Sequence, residues 1–399
     1  MPQFSPFTGI HYSPSAGNLA DLSAPPYDVI DDRQRAELAA QHRYNAVHID
    51  LPVDSETADR YEVARALWQR WLDEGVLVRD DEPVLYGYRM AFAAPTGRAR
   101  RTTGVLGSLE LSRPGEGRIL PHEHTTPKAK SDRLEMLRSC RANLSPIWGL
   151  CPTSGLTQAI GEPSATAHRW TDEDGVTHTF WTITDPDRLR AIASAVDANP
   201  LVVADGHHRY ETSLTYRDER RSESPDNDAG PAESTLAFVV ELVAEELTVL
   251  PIHRLIDGLA LDTDLMAVLE AWFEPGDDVA PAPDLLDQMI ADGFLVLVEP
   301  GRLRSMRPRP GVFDQIRDLD TVRLDTALRA LGEHQLSYQH GIDNVVDAVG
   351  SGRAQAGVLV RPATVAQIAA TADGGERMPP KTTFFHPKPK TGLVFRSLD

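Results

Sequence analysis

Cysteine is scarce, with only Cys140 and Cys151 in 399 residues. Two thiols cannot build a framework of bridges, and neither has a Cys-x-x-Cys partner. A reducing cytoplasm is therefore expected, with both thiols as buried small residues and not nucleophiles. No run approaches the roughly 18 apolar residues that a membrane span needs. Residues 1–7 lack the basic-then-apolar pattern of a secretory signal. Basic charge is also short: 40 Lys and Arg stand against 59 Asp and Glu, a net charge of -19. Affinity for a nucleic-acid backbone comes from clustered cations, so a DNA-binding role is disfavoured. A small anionic ligand stays compatible if a local basic pocket lies inside the acidic shell. No repeat of fixed period is visible.

What is present suits a core of some size. The hydrophobic fraction is 41% and the mean hydropathy -0.31, and the length suggests two or three domains or one composite one. The chain is organised around residues 201–211, Leu-Val-Val-Ala-Asp-Gly-His-His-Arg-Tyr-Glu. The first four read as a short buried strand and the polar run after Glu211 as a helix, with a tight turn between. A helix start presents backbone N–H groups where the dipole favours an anion. Gly206 lets a ligand approach the main chain, and Arg209 offers a planar fork for phosphate or carboxylate. Two adjacent histidines, His207 and His208, are more than packing alone calls for. The turn is neither a P-loop nor a Gly-x-Gly-x-x-Gly turn. In the blander alternative, Asp205 is an N-cap and the histidines are inert.

In chain order, residues 24–30 form a rigid Pro-Pro segment, and Asp31 or Asp32 caps a helix to about His42. Residues 46–51 alternate as a strand does. Residues 57–75 read as an amphipathic helix with Tyr61, Ala64, Leu67, Trp68, Trp71 and Leu72 on one side. Strands at 84–92 and 101–109 flank a basic turn, and a hairpin spans 168–182. Residues 121–133, Pro-His-Glu-His-Thr-Thr-Pro-Lys-Ala-Lys-Ser-Asp-Arg, are the second notable stretch. His122 and His124 face the same way in an extended segment, and with His207 or His208 they invite a zinc reading, although no His-Glu-x-x-His occurs. Lys130 and Arg133 in so acidic a chain suit an anion better. Residues 220–231 have the composition of a flexible loop. Strands follow at 236–242 and 247–255, with His253 and Arg254 as a further site pair. Residues 256–377 alternate helices and strands without a chemical signature, and 378–399, including Lys381, looks built to dock back onto the body.

Several short motifs together carry a resemblance. They are Pro-Pro-Tyr-Asp at 25–28, Pro-His-Glu-His-Thr at 121–125, Lys130 with Asp132 and Arg133, Asn143 with Ser145 and Pro146, Asp205 to Tyr210, Pro251 with His253 and Arg254, and Met378 to Thr383. Over nearly its whole length the chain resembles the family catalogued as domain of unknown function 1015. The central turn is also similar, over about ten residues, to the nucleotide site of the ParB and sulfiredoxin superfamily, where a Gly-x-x-Arg at a helix start contacts phosphate. His207 stands where sulfiredoxin has its cysteine, which argues against sulfinic acid reduction. Free-serine kinases of that superfamily resemble the turn more closely.

The resemblance implies an α/β (α+β mixed) protein. A ParB/sulfiredoxin-like nucleotide-binding core would span 1–255, a smaller α/β region 256–377, and a docking tail 378–399. The expected activity is phosphoryl transfer from ATP or ADP to a small hydroxylated metabolite, with free serine as leading candidate. Catalysis of that kind is mostly positioning and charge neutralisation. Gly206 and Arg209 would hold phosphates, with Lys130 and Arg133 neutralising charge. His207 or His208 would donate to the phosphoryl oxygens, and Asp205 or Glu211 would hold Mg²⁺. Glu123 is the candidate base and Asp28 its rival. Asn143, His122, His124, His253, Arg254 and Lys381 are substrate or structural positions. The partner expected is a small-molecule substrate, with no nucleic acid and no membrane; the oligomeric state stays open. Two alternatives remain: a non-catalytic nucleotide switch, and a metal-dependent hydrolase built on His122, His124, His207 and His208.

Overall fold

The computed structural model describes residues 2–94, 97–113, 115–116, 118–121, 127–260, 263–374, 378–379 and 381–399. His122, Glu123 and His124 lie outside them, as does the side chain of Lys130. The chain is mixed α/β and divides into two compact units. The first comprises residues 1–93, 99–247 and 387–399, and the second 94–98 and 248–386. The division thus falls ahead of residues 248–255, which the sequence places with the core. Only 387–399 of the tail belongs to the first unit.

The first unit is built on a sheet of nine described strands. Its spatial order is Ile119–Pro121, Leu201–Asp205, Ile147–Cys151, Ser234–Glu241, Ala99–Glu110, Leu85–Ala93, Thr177–Ile183 and His168–Thr171, with Phe4–Ser5 pairing onto Ala99–Glu110. Leu201–Asp205 runs parallel to Ile119–Pro121, and Ser234–Glu241 parallel to Ile147–Cys151; the other pairs are antiparallel. Side chains alternate across a strand. Leu85, Val105, Ile147, Val203 and Val239 therefore meet one core, into which the helices Leu156–Ile160 and Pro186–Asp197 bury Leu156, Ile160, Ile192 and Val196. Close approach requires glycine at 87, where a Cβ would stand 2.1 Å from the Trp181 ring. On the opposite face, Trp148, Phe238 and Tyr88 pack ring to ring, with centroids 5.6 and 5.4 Å apart.

The expected amphipathic helix is Arg60–Asp73. Asp59 caps it by accepting from the N–H groups of Tyr61 and Glu62, and Ala64, Trp68 and Trp71 are its buried face. It packs on the helix Pro127–Cys140, which packs in turn on His207–Glu223. Asp31 caps the helix Asp32–Gln41. Residues 46–51 correct the strand expectation, since Val47–Asp50 is a helical turn. Asn45 decides this: its Oδ1 accepts from the Val47 N–H at 2.9 Å while its Nδ2 donates to the carbonyls of Asp21 and Ser23. Val47, Ile49 and Asp50 are all buried, so the apparent alternation is burial on two sides of a turn and not a pleat.

The second unit carries a six-stranded antiparallel sheet with order Phe273–Asp278, Arg302–Pro308, Leu295–Glu299, Ala356–Leu359, His253–Asp257 and Gln335–Gln339. Leu295, Leu297 and Val358 face one core cluster, and Val296, Val298 and Leu359 the other. Among the described residues, no helix is long and apolar enough to cross a membrane. Cys140 and Cys151 are free and buried, and burial pushes the Cys140 thiol up to about 12.

Candidate functional site

Leu201–Asp205 ends in a register shift between Val203 and Asp205. A bulge of this kind re-aims the next side chain. Gly206 follows with φ +83°, a left-handed conformation that favours glycine, and the helix His207–Glu223 begins directly after it. The turn is thus the predicted strand, bend and helix.

Asp205 is held between two cations. Its Oδ2 accepts from Arg209 Nη2 at 2.8 Å and its Oδ1 from Lys388 Nζ. Burial opposes ionisation, but Lys388 and Arg209 overcome it and hold the carboxyl well below the usual range. Arg209 Nη1 donates to the Pro146 carbonyl, which gives the Ser145-Pro146 motif a task. Arg209 is 8% exposed, and its buried Nε has no hydrogen-bond partner among the described residues. A Cβ built on Gly206 would stand 3.0 Å from that Nε. The guanidinium thus packs directly over the Cα of Gly206, and only glycine leaves it room there. His207 is buried, within reach of the Asp205 charge, and His208 and Glu211 are half-buried.

Tyr27, from the Pro-Pro-Tyr-Asp motif, has two guanidiniums over its ring. Arg133 lies 4.0 Å and Arg209 6.0 Å from its ring centroid. Burial pushes its phenol up to about 12, against the pull of both arginines. Asp28, the next residue, is exposed, and its charge is felt at Tyr27, Asp50 and Arg209. Arg133 itself spends Nε and Nη2 on Asp132 Oδ2 and Nη1 on the Asp50 carbonyl at 2.8 Å. It therefore ties the Pro127–Cys140 helix to Asp50 as well as adding positive charge. Asn143 is a joint: its Oδ1 accepts from the Leu236 N–H at 3.0 Å and from Arg396 Nη1 at 3.4 Å.

A second network lies on the same unit. Tyr88 Oη pairs with His178 Nδ1 at 2.7 Å, and His178 Nε2 with Asp172 Oδ2 at 2.9 Å. Lys390 Nζ reaches the same Asp172 oxygen at 2.7 Å. Burial lowers the His178 pKa despite Asp172. Burial opposes Asp172 ionisation, but His178 and Lys390 hold its carboxyl below the usual range. Lys388 and Lys390, one residue apart in Pro-Lys-Pro-Lys, thus neutralise two separate buried carboxylates.

His253, Arg254 and Lys381 belong to the second unit, where they form a structural knot. His253 Nδ1 accepts from the Val360 N–H at 3.2 Å, and burial pushes its pKa down to about 3. Arg254 Nη1 donates to the carbonyls of Ile252 and Lys381, at 2.7 and 3.0 Å. Lys381 has φ +59°, and what it gives Arg254 is a backbone oxygen.

A family model, DUF1015, described as a protein of unknown function, matches residues 4–323. The chain belongs to the DUF1015 family. No curated protein matches it. Among solved structures, a free serine kinase in complex with AMP is 13% identical with a TM-score of 0.37, covering 69% of this chain and 88% of its own. SbnI with a C-terminal truncation, from Staphylococcus aureus, is 10% identical with a TM-score of 0.39 over 73% and 87%. A conserved hypothetical protein from Pyrococcus furiosus is 15% identical with a TM-score of 0.36 over 70% and 92%.

In this DUF1015 chain the matched span includes the Pro-Pro-Tyr-Asp segment, Arg133, Asn143 and the 205–209 turn. The donors at the turn do not fit a protein-held Mg²⁺ through Asp205, because both of its oxygens already accept from cations. Among the described residues, no group of three or more His, Cys, Asp and Glu could hold a metal ion. Sequence reasoning missed Tyr27, Asp50, Asp172, His178 and Lys388. The Pro-Pro-Tyr-Asp motif around Tyr27 and the Pro-flanked lysines of 387–390 were the local signals for any of them.

Proposed function

We propose that the chain holds the phosphates of an adenine nucleotide, ATP or ADP, at the 205–209 turn. A phosphoryl group then passes to a small hydroxylated metabolite, with free serine as the leading acceptor. The observation that carries this is the buried, unsatisfied Arg209 Nε beside the bare Cα of Gly206, at the start of a 17-residue helix. An unmet buried donor costs on the order of 1–3 kcal/mol, and a phosphate oxygen accepting from Nε would remove that cost. Lys388 and Arg209, anchored on Asp205, place positive charge at the same point.

In the reaction, a carboxylate takes the acceptor's hydroxyl proton as its oxygen attacks the terminal phosphorus. The bond from phosphorus to the bridging oxygen breaks, and the shortened nucleotide leaves with that electron pair. Glu123 is the candidate for that base; its rival Asp28 is exposed and close enough for its charge to reach Arg209. His208 and the charges of Arg209 and Lys388 would meet the transferring oxygens.

The test is nucleotide binding followed by turnover. ADP and ATP should raise the melting temperature of the full chain, by about 2.7 kcal/mol of stability at a hundredfold excess over Kd. Gly206→Ala pushes a methyl against the Arg209 guanidinium and should abolish the shift, as should Arg209→Lys, which keeps the charge and loses the fork. Phosphoserine should form only with serine present. Equal shifts in both variants would remove the turn from the site.

A further inference from the structure

Behind Arg209, within the first unit, lies a cavity of about 40 Å³. By the measure in which one water needs about 10–15 Å³, it holds roughly three waters. Its lining is largely apolar, with a few charged and polar groups set into it. Asp50, Arg133, Asn143, Ser145, Arg209 and Thr235 line it, over an apolar floor of Met136 and Leu137.

Asp50 is the group that needs explaining. It is 3% exposed, yet among the described residues its carboxylate has only two long contacts, Oδ1 to Arg133 Nη1 at 3.4 Å and Oδ2 to Thr391 Oγ1 at 3.5 Å. Both are at the weak limit of a hydrogen bond. Arg133 is the nearest cation, but its short bonds go to Asp132 and to the Asp50 main chain. The Asn143 amide nitrogen and the Ser145 hydroxyl make no hydrogen bond among the described residues. Arg209 lines the same space, and each of its Nη nitrogens has one acceptor for two N–H groups. One small space thus faces an under-bonded carboxylate, a guanidinium with a donor to spare, and neutral groups that can donate or accept. Buried charge is normally paired.

We propose that this cavity is the binding pocket for a small zwitterion of about three carbons or fewer, its ammonium on Asp50 and its carboxylate on Arg209. As the acceptor pocket of a phosphotransferase it rests on the function proposed above. As a binding site for an amino acid it does not.

Calorimetric titration of the full chain with glycine, L-serine, glycolate and inorganic phosphate tests it without turnover. Glycine and L-serine should bind at least about tenfold more tightly than glycolate, which lacks the amine, and phosphate should not compete with them. Asp50→Asn keeps the shape and should lose that preference. Ser145→Leu fills the pocket from its half-exposed rim; it should lose amino-acid binding and keep nucleotide binding. No heat with either amino acid at millimolar concentration, or unchanged binding in both variants, overturns the pocket. Loss of ADP binding in the wild type with amino-acid binding intact would overturn the nucleotide reading and leave the pocket standing.

Discussion

Arg209→Ala looks from the sequence like a clean way to remove phosphate binding, and the structure predicts otherwise. The side chain is 9% exposed and its ion-pair partner Asp205 14%. Truncation removes the 2.8 Å bond to Asp205 Oδ2 and the donor to the Pro146 carbonyl. Breaking a buried pair costs about 3–5 kcal/mol. Lys388 stays on the other oxygen of Asp205, so the lower end, about 3 kcal/mol, is expected. For a unit of this size that is roughly 6–12 °C in melting temperature. Arg209→Lys keeps the charge and loses the second arm, for about 1 kcal/mol. Urea unfolding followed by tryptophan fluorescence is the assay, because Trp148 lies opposite Asp205 in the sheet and is 1% exposed. The pH dependence has a definite sign. Asp205 has a depressed folded pKa, so its contribution is present above the ordinary carboxylate value and lost as pH falls through the folded one. The gap between wild type and Arg209→Ala should therefore be widest near neutrality and close below about pH 4. An Arg209→Ala chain of wild-type stability at pH 7, or a gap that does not narrow in acid, refutes the buried-pair argument.

Lys388→Met should destabilise the first unit by about 2–3 kcal/mol and move its acid unfolding to higher pH, because Asp205 then loses one of its two cations; unchanged acid unfolding would contradict this. His178 has a lowered folded pKa, so stability should fall as pH drops below about 6.5. His178→Gln should remove up to about 1.4 kcal/mol per pH unit of that slope, read from urea midpoints between pH 8 and 5, and an unaltered slope would count against it. Gly87→Ala forces a methyl onto the Trp181 ring. About 1–3 kcal/mol should be lost, and a neutral result would mean that the ring moves freely.

The local pattern was readable where one rule acted alone. Strand, left-handed glycine and helix at 201–223 follow from short-range chemistry, as do the Asp59-capped helix and the hairpin around Asp172 to Gly175. Residues 46–51 failed because burial on two sides of a turn imitates a pleat, and only the long-range bonds of Asn45 distinguish the two. The same limit hid the site's supports. Asp205 meets Lys388 183 positions away, and Asp50 meets Thr391 across 341. No window along the chain contains either pair. Pairing across such separations also explains why the basic residues flagged as ligand donors are partly framework. In a chain with net charge -19, a buried carboxylate must find a cation, and Arg133, Arg209 and Lys388 each answer one. On the proposed nucleotide reading, a phosphate at the turn would meet cations already fixed in place by carboxylates. Little reorganisation would then be left for that ligand to drive, and Arg209 Nε, unsatisfied among the described residues, would direct it.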